Sequence, residues 1–178
     1  MSRPNTDSSN TDAPCLATIK VYITYHPFEK AGFVPEYGPG YHWKFQLEPN
    51  TSIVRTPTSP QLGLIDPLTG LMEISKVNGS FSIKYELHDT NKSEHHPPLK
   101  VLEFVSANIS TNLANGAVVN NQIGGIAISQ DRRSINVEYR DEHQGTRKFG
   151  VILVAMNRLQ PYFAICSPDP QVICHNPQ

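Results

Sequence analysis

Residues 41–49, YHWKFQLEP, carry the clearest structural signal in the chain, because apolar and polar residues alternate along them without a break. In an extended strand, this alternation places all the apolar side chains on one side and all the polar ones on the other. The apolar set is Tyr41, Trp43, Phe45 and Leu47. Pro49 ends the run because its nitrogen has no hydrogen to donate to a neighbouring strand. The segment therefore predicts a half-buried β-strand.

The same two-residue period recurs before and after this segment. It runs through residues 17–25 and 81–88, and again through Ile135, Val137 and Tyr139. Asn78-Gly79 precedes the second of these runs, and both residues tolerate the positive φ of a tight hairpin turn. We therefore expect a hairpin between residues 71–76 and 81–88.

Residues 149–156, FGVILVAM, form an uninterrupted apolar run. A strand that is apolar on both faces is typical of the middle of a sheet. Residues 162–166 are expected to pair back with it, and Val172 and Ile173 to finish the edge. Gly124-Gly125 predicts a bulge or a close approach of the backbone, and residues 66–70, DPLTG, predict a turn.

The chain contains 15 prolines among 178 residues, and these interrupt it too often for long helices. No internal repeat is found. We expect an all-β fold, a two-sheet antiparallel β-sandwich of immunoglobulin-like type. Cys15, Trp43 and Cys166 do not have the spacing of the antibody core set. Residues 1–15 are polar and predict a disordered N-terminal tail, and residues 16–178 predict a single domain.

Charge and composition exclude several classes of function. The formal net charge is −1, which leaves no basic excess for binding nucleic acid. The longest apolar run is far shorter than a membrane-spanning helix needs, and the first residues lack the apolar region of a secretory signal. We therefore expect a cytoplasmic protein that binds neither nucleic acid nor membranes. Its three cysteines are expected to be reduced, with a bridge between Cys166 and Cys174 as the alternative.

A long loop rich in aromatic residues, proline and glycine, residues 28–43, is the main candidate for ligand binding. Exposed aromatic rings on such a loop stack on sugars or on a partner protein. The candidate side chains are Phe33, Tyr37, Tyr41 and His42. Burial of the same rings at the open end of the core is the favoured interpretation, because aromatic side chains are mostly buried.

His95 and His96 are the densest histidine pair and the weak candidates for a metal site. Adjacent residues of an extended segment point to opposite sides, so two neighbours rarely bind one ion. The chain has no spacing typical of a zinc site, a nucleophile elbow or a phosphate-binding loop. We therefore predict no catalytic residues, no bound metal and no cofactor.

Two short motifs resemble the signatures of a bacterial family called DP-EP. They are Glu48-Pro49, in YHWKFQLEP, and Asp169-Pro170, in PYFAICSPDPQVICHNP. The resemblance implies a small β-sandwich protein without an established activity, and it supplies no catalytic or binding residues.

These observations lead to three functional hypotheses of different classes. The first is a non-enzymatic protein that acts through protein contacts or self-association, by an edge strand or by the face of residues 149–156. The alternative is a protein that binds a carbohydrate or another small molecule through the aromatic loop, residues 28–43. The third is a metal-dependent enzyme that uses the histidine-rich loop.

Overall fold

The computed structural model describes residues 13–26, 40–49, 60–75, 79–88, 102–110, 123–141, 145–157, 160–168 and 171–176. Within these ranges all the regular secondary structure is β-strand, so the expectation of an all-β fold is confirmed. The strands are β1 (Cys15–His26), β2 (Gly40–Pro49), β3 (Gln61–Ile65), β4 (Met72–Ser75), β5 (Gly79–His88), β6 (Leu102–Ser110), β7 (Ile123–Ile128), β8 (Ser134–Asp141), β9 (Gly145–Asn157), β10 (Gln160–Cys166) and β11 (Gln171–Asn176).

The first sheet has the strand order β2-β1-β5-β8-β7. β1 pairs antiparallel with β2, Ile23 lying opposite Trp43, and parallel with β5, Ile19 lying opposite Tyr85. β5 continues antiparallel to β8, which forms a hairpin with β7. A register shift between Ile123 and Gly125 confirms the predicted bulge in β7.

The second sheet is built around β9, which confirms the central position expected for residues 149–156. β6 pairs along one edge of β9, while β10 and β11 pair one after the other along the opposite edge. Gly150 shows this arrangement, because it lies opposite Ser110 of β6 and also opposite Gln171 of β11. β4 pairs parallel with β11, and β3 pairs antiparallel with β4.

Two expectations about pairing are wrong. Each sheet contains one parallel pair, β1 with β5 and β4 with β11, so the sheets are mixed rather than purely antiparallel. The hairpin across Asn78-Gly79 does not form, because β4 belongs to the second sheet and β5 to the first. Gly79 does have a positive φ of 93°. The local conformation was therefore predicted correctly, but the chain uses it to cross between sheets.

β11 is also not the edge strand that its position near the end of the chain suggested. It lies between β9 and β4, so both of its edges are paired. At the break between β10 and β11, the Ser167 N–H donates to the carbonyl of Leu153 over 2.9 Å. The Ser167 hydroxyl oxygen in turn accepts the Leu153 N–H at 2.9 Å. Ser167 therefore keeps the two strands on one edge of β9.

The buried side chains of both sheets form one hydrophobic cluster. Alternation fixes which residues enter it, since successive side chains of a strand point to opposite faces. In the first sheet, Ile135, Val137 and Tyr139 are fully buried, as predicted. The largest fully buried side chains of the cluster are Tyr85, Tyr139, Phe45, Phe81 and Phe104.

Backbone hydrogen bonds connect the two sheets at both sides of the molecule. On one side, the Phe45 N–H of β2 donates to the carbonyl of Pro67, in the turn between β3 and β4, over 2.8 Å. On the other side, the Phe104 N–H of β6 donates to the carbonyl of Arg132, in the turn between β7 and β8, over 2.8 Å. Each turn therefore joins an edge of one sheet to an edge of the other.

The predicted tail, residues 1–15, lies mostly outside the described residues. Its last part is attached to the first sheet, because the Pro14 carbonyl accepts the Ser82 N–H at 2.9 Å. β1 begins at Cys15, one residue before the domain boundary expected from the sequence.

Candidate functional site

β7 forms one outer edge of the first sheet. One of its edges pairs with β8, and in the described parts of the chain no strand pairs with the other. An unpaired strand edge presents backbone N–H and C=O groups that can hydrogen bond to another extended chain. This edge is the feature of the described structure best suited to binding.

Two side chains of β7 on the core-facing side of the sheet, Ile126 and Ile128, are partly exposed to solvent. Ile126 lies opposite Val137 and Ile128 opposite Ile135, and both of these β8 partners are fully buried. The two isoleucines themselves remain 36% and 38% exposed. The apolar face of the first sheet therefore continues to an uncovered boundary at β7.

The sequence of β7, IGGIAI, contains no charged residue and no proline. Edge strands of natural proteins usually carry lysine, proline or a bulge that prevents pairing with another chain. Of these features β7 has only the bulge near Gly124, before Ile126 and Ile128. Its last four residues form a regular, uncharged strand segment that is paired on the β8 side and, among the described strands, unpaired on the other.

The tight turn that follows β7 fixes its position. The Arg132 N–H donates to the Ser129 carbonyl over 2.8 Å, and the Ser129 N–H to the Ser134 carbonyl over 2.9 Å. One carboxylate oxygen of Asp131 accepts the Ser129 hydroxyl at 2.5 Å and the Arg133 N–H at 3.0 Å. These hydrogen bonds lower the pKa of Asp131, with the Ser129 hydroxyl as the largest cause. The carboxylate is therefore retained at neutral pH.

Arg133 attaches this turn to strands of both sheets. Its guanidinium donates to the Leu87 carbonyl of β5 over 3.0 Å and to the Leu102 carbonyl of β6 over 2.8 Å. A planar guanidinium can bridge two acceptors in this way because its N–H groups have a fixed fork geometry. β7 is thus presented on a supported hairpin.

A shallow polar hollow of about 550 Å³ lies beside the same turn. It is lined by Lys84, Glu86, Ser129, Gln130, Asp131, Arg133 and Ser134. Lys84 and Glu86 form an ion pair of 3.3 Å, and His88 approaches Glu86 at 4.0 Å. The lining of the hollow carries two cations and two carboxylates, so its charges balance and it favours no charged ligand. Its Arg133 guanidinium also already donates hydrogen bonds to two backbone carbonyls.

Of the four sequence-predicted ligand residues, only Tyr41 and His42 lie in the described part of the chain. Phe33 and Tyr37 lie outside the described residues. Tyr41 and His42 are in β2, opposite Tyr25 and Thr24 respectively, and His42 is half-buried.

Adjacent to them, Trp43 is buried and its indole N–H has no hydrogen-bond partner among the described residues. A buried donor without an acceptor is uncommon in folded proteins. The indole N–H of Trp43 is therefore the feature of this region that favours ligand binding, because a ligand could accept its hydrogen bond.

The weak metal candidates, His95 and His96, also lie outside the described residues. Among the residues that are described, no group of three or more His, Cys, Asp or Glu side chains could hold a metal ion. None of the three cysteines, Cys15, Cys166 and Cys174, is in a disulfide, as expected, and Cys166 is exposed whereas Cys174 is buried. The alternative bridge between Cys166 and Cys174 is not formed.

The exposed edge at β7 was not identified from the sequence as a site. Nothing in the sequence around Ile126 and Ile128 marks them as a site, because local alternation does not show which strand lies at an edge. The absence of charge and proline in residues 123–128 was the available signal. It becomes informative only once the edge position of β7 is known.

No protein-family model matches this chain, and no curated protein matches it significantly. Of the two motifs that resemble DP-EP, Glu48-Pro49 ends β2, where Glu48 forms an ion pair with Lys20 of β1. Asp169-Pro170 lies outside the described residues. A helix long and apolar enough to span a membrane does not occur in the described ranges.

Proposed function

We propose that this chain is a non-enzymatic protein that acts through protein contacts, with β7 as its contact strand. Strand addition at a sheet edge takes its affinity from backbone hydrogen bonds and its specificity from alternate side chains. β7 offers both, an unpaired edge and the partly exposed side chains of Ile126 and Ile128. These exposed isoleucines are the observation that carries the proposal.

The fold that we propose for this function is a β-sandwich of immunoglobulin-like type. Two observations support face-to-face packing of the sheets. The buried side chains of both sheets share one cluster. Cys174 of β11 also lies close enough to Tyr139 of β8 to contribute to the raised pKa of that tyrosine, after burial and Tyr85. A layered core of this type leaves strand edges as the natural binding surfaces.

A labelled peptide with the sequence of residues 122–129, QIGGIAIS, tests the contact strand. If the protein is monomeric, we expect the peptide to bind it in a fluorescence anisotropy titration. If the protein is already associated through β7, we expect the peptide to be excluded. Ile126→Lys should remove both peptide binding and self-association, since it places a charge on the contact strand. The matched control is Leu64→Lys, at a residue of β3 that is 94% exposed.

Two results would refute this function. The first is a wild-type protein that is monomeric and does not bind the peptide. The second is binding or association that Ile126→Lys and Leu64→Lys affect equally. Circular dichroism of each variant shows whether the substitution has left the fold intact.

The unpartnered indole N–H of Trp43 favours a second candidate function, small-molecule or carbohydrate binding at residues 28–43. A sugar hydroxyl oxygen that accepts a hydrogen bond from this N–H would change the fluorescence of Trp43, the one tryptophan of the chain. A screen of neutral sugars should then give a saturable change in fluorescence that Tyr41→Ala weakens. Unfolding of Tyr41→Ala, with no sugar response in the wild type, would instead identify the aromatic residues as part of the core.

A further inference from the structure

We propose that the partner of β7 is the β7 strand of a second copy of this chain, paired antiparallel about a two-fold axis at Ala127. This inference rests on the proposed function and names the partner at the same edge. Its physical basis is the order of residues along the strand, which makes the edge complementary to itself.

The position of the axis follows from the residues that each register brings together. Opposed residues of an antiparallel pair lie on the same face of the sheet. With Ala127 on the axis, Ile126 of each copy lies opposite Ile128 of the other, so two apolar pairs form. With Ile126 on the axis, Ile128 would lie opposite Gly124, and only one pair of isoleucines would remain. The register at Ala127 therefore buries the most apolar surface.

The face on which these pairs form is the apolar face of the first sheet. Ile126 and Ile128 lie in rows that continue to Val137 and Ile135, which are fully buried. The second copy would add one isoleucine to each row and cover side chains that are 36% and 38% exposed in the single chain. Burial of that surface favours association.

The absence of charge on β7 favours a second copy over a charged peptide. Residues 123–128 offer no lysine, arginine, aspartate or glutamate to a partner. A two-fold pair places each residue near its own counterpart, so a charged strand would repel itself, whereas this strand does not. Ala127 is small enough to sit beside its counterpart at the axis.

The contact between two short strands is small, and this sets the expected affinity. Stable protein interfaces bury more than about 1,000 Å² in total, and weak associations bury less. We therefore expect a dimer with a Kd on the order of micromolar. Sedimentation at increasing concentration should show conversion from monomer to dimer. Ala127→Lys should prevent it by placing two ammonium groups side by side, while Leu64→Lys should leave it unchanged.

Cysteine cross-linking tests the register directly. Opposed Cα atoms of an antiparallel pair are about 4.5–5.5 Å apart, a separation that a disulfide can span. In a Cys166→Ser background, Ala127→Cys should form a covalent dimer on mild oxidation. Ile126→Cys alone should not, because its counterpart lies two residues out of register. A mixture of Ile126→Cys and Ile128→Cys chains should cross-link, and Cys166→Ser alone is the control.

Each outcome separates this inference from the proposed function. A monomer at all concentrations that still binds the labelled peptide overturns the dimer and leaves the contact strand supported. A dimer that cross-links through Ile126→Cys alone overturns the register. A dimer that is insensitive to Ala127→Lys and Ile126→Lys uses another surface, and overturns both the inference and the function. Circular dichroism and Trp43 fluorescence confirm that each variant is folded.

Discussion

Arg133 is the side chain that ties the turn after β7 to both sheets. Replacing it with alanine removes the hydrogen bonds to the carbonyls of Leu87 and Leu102 and leaves those acceptors with fewer partners. Hydrogen bonds that involve a charged group contribute about 1.5–3 kcal/mol each at most, and the two share one side chain. We expect Arg133→Ala to lower the free energy of unfolding by about 2–3 kcal/mol, measured by urea denaturation.

Arg140 provides the matched control for this prediction. It is exposed in β8, and its Nε lies 3.7 Å from Oε1 of Glu138, whose side chain is 12% exposed. A long ion pair with one exposed partner contributes about 0–1 kcal/mol, so Arg140→Ala should lower stability less than Arg133→Ala does. Equal effects of Arg133→Ala and Arg140→Ala would contradict the role assigned to Arg133.

Tyr85 and Tyr139 place two hydroxyl groups in the core, hydrogen bonded to each other over 3.1 Å. Burial raises the pKa of Tyr85 to about 12 from its ordinary 10.0, although the bond to Tyr139 opposes this rise. The unfolded chain therefore loses this proton first as pH increases. The stabilising contribution is fully present below pH 10 and is lost between pH 10 and about 12.

A pH series of denaturation experiments tests this prediction. The raised pKa corresponds to a loss of about 2–3 kcal/mol across that range. Tyr85→Phe should make the fall in stability shallower. Tyr85→Phe should also cost about 1 kcal/mol at neutral pH, since it leaves the Tyr139 hydroxyl with one partner fewer. An unchanged alkaline slope in Tyr85→Phe would show that other groups cause the loss.

At the scale of elements, the turn between β3 and β4 shows how a short sequence determines a connection between sheets. Asp66 accepts the N–H groups of Leu68 and Thr69 at 2.8 and 3.1 Å, and Gly70 has a φ of 74°. The two backbone bonds lower the pKa of Asp66. The Pro67 carbonyl of this turn then accepts the Phe45 N–H of β2.

Substitution of Asp66 separates its hydrogen bonds from its charge. Asp66→Ala should lower the melting temperature, because both N–H groups lose their acceptor. Asp66→Asn should retain most of the stability near pH 7, since an amide oxygen can accept the same bonds. Because the folded pKa is lowered, the contribution of the carboxylate is lost as pH falls through it, below 3.8. A stability difference between the wild type and Asp66→Asn that does not change with acidification would contradict this account.

The elements also show which inferences a sequence supports. Alternation in residues 41–49 and the turn at 66–70 are local, and both were predicted correctly. The Asn78-Gly79 hairpin was wrong, because a turn signal specifies a local φ but not which strands pair afterwards. β4 and β5 pair instead with strands distant in the chain, β11 and β1. The candidate site at β7 depends on the same long-range pairing, so the sequence could not identify it.

At the scale of the whole molecule, the two sheets are expected to unfold as one unit. They share a hydrophobic cluster, and hydrogen bonds join their edges at Phe45 and at Phe104. Trp43 fluorescence reports on the first sheet, and hydrogen exchange at Val151 and Leu153 reports on β9 of the second. The two probes should give the same denaturation midpoint, as a cooperative transition requires. Arg133→Ala should shift both midpoints together, because Arg133 bonds strands of both sheets. Loss of one signal before the other would show that the sheets are separate cooperative units and would contradict the face-to-face packing that we propose.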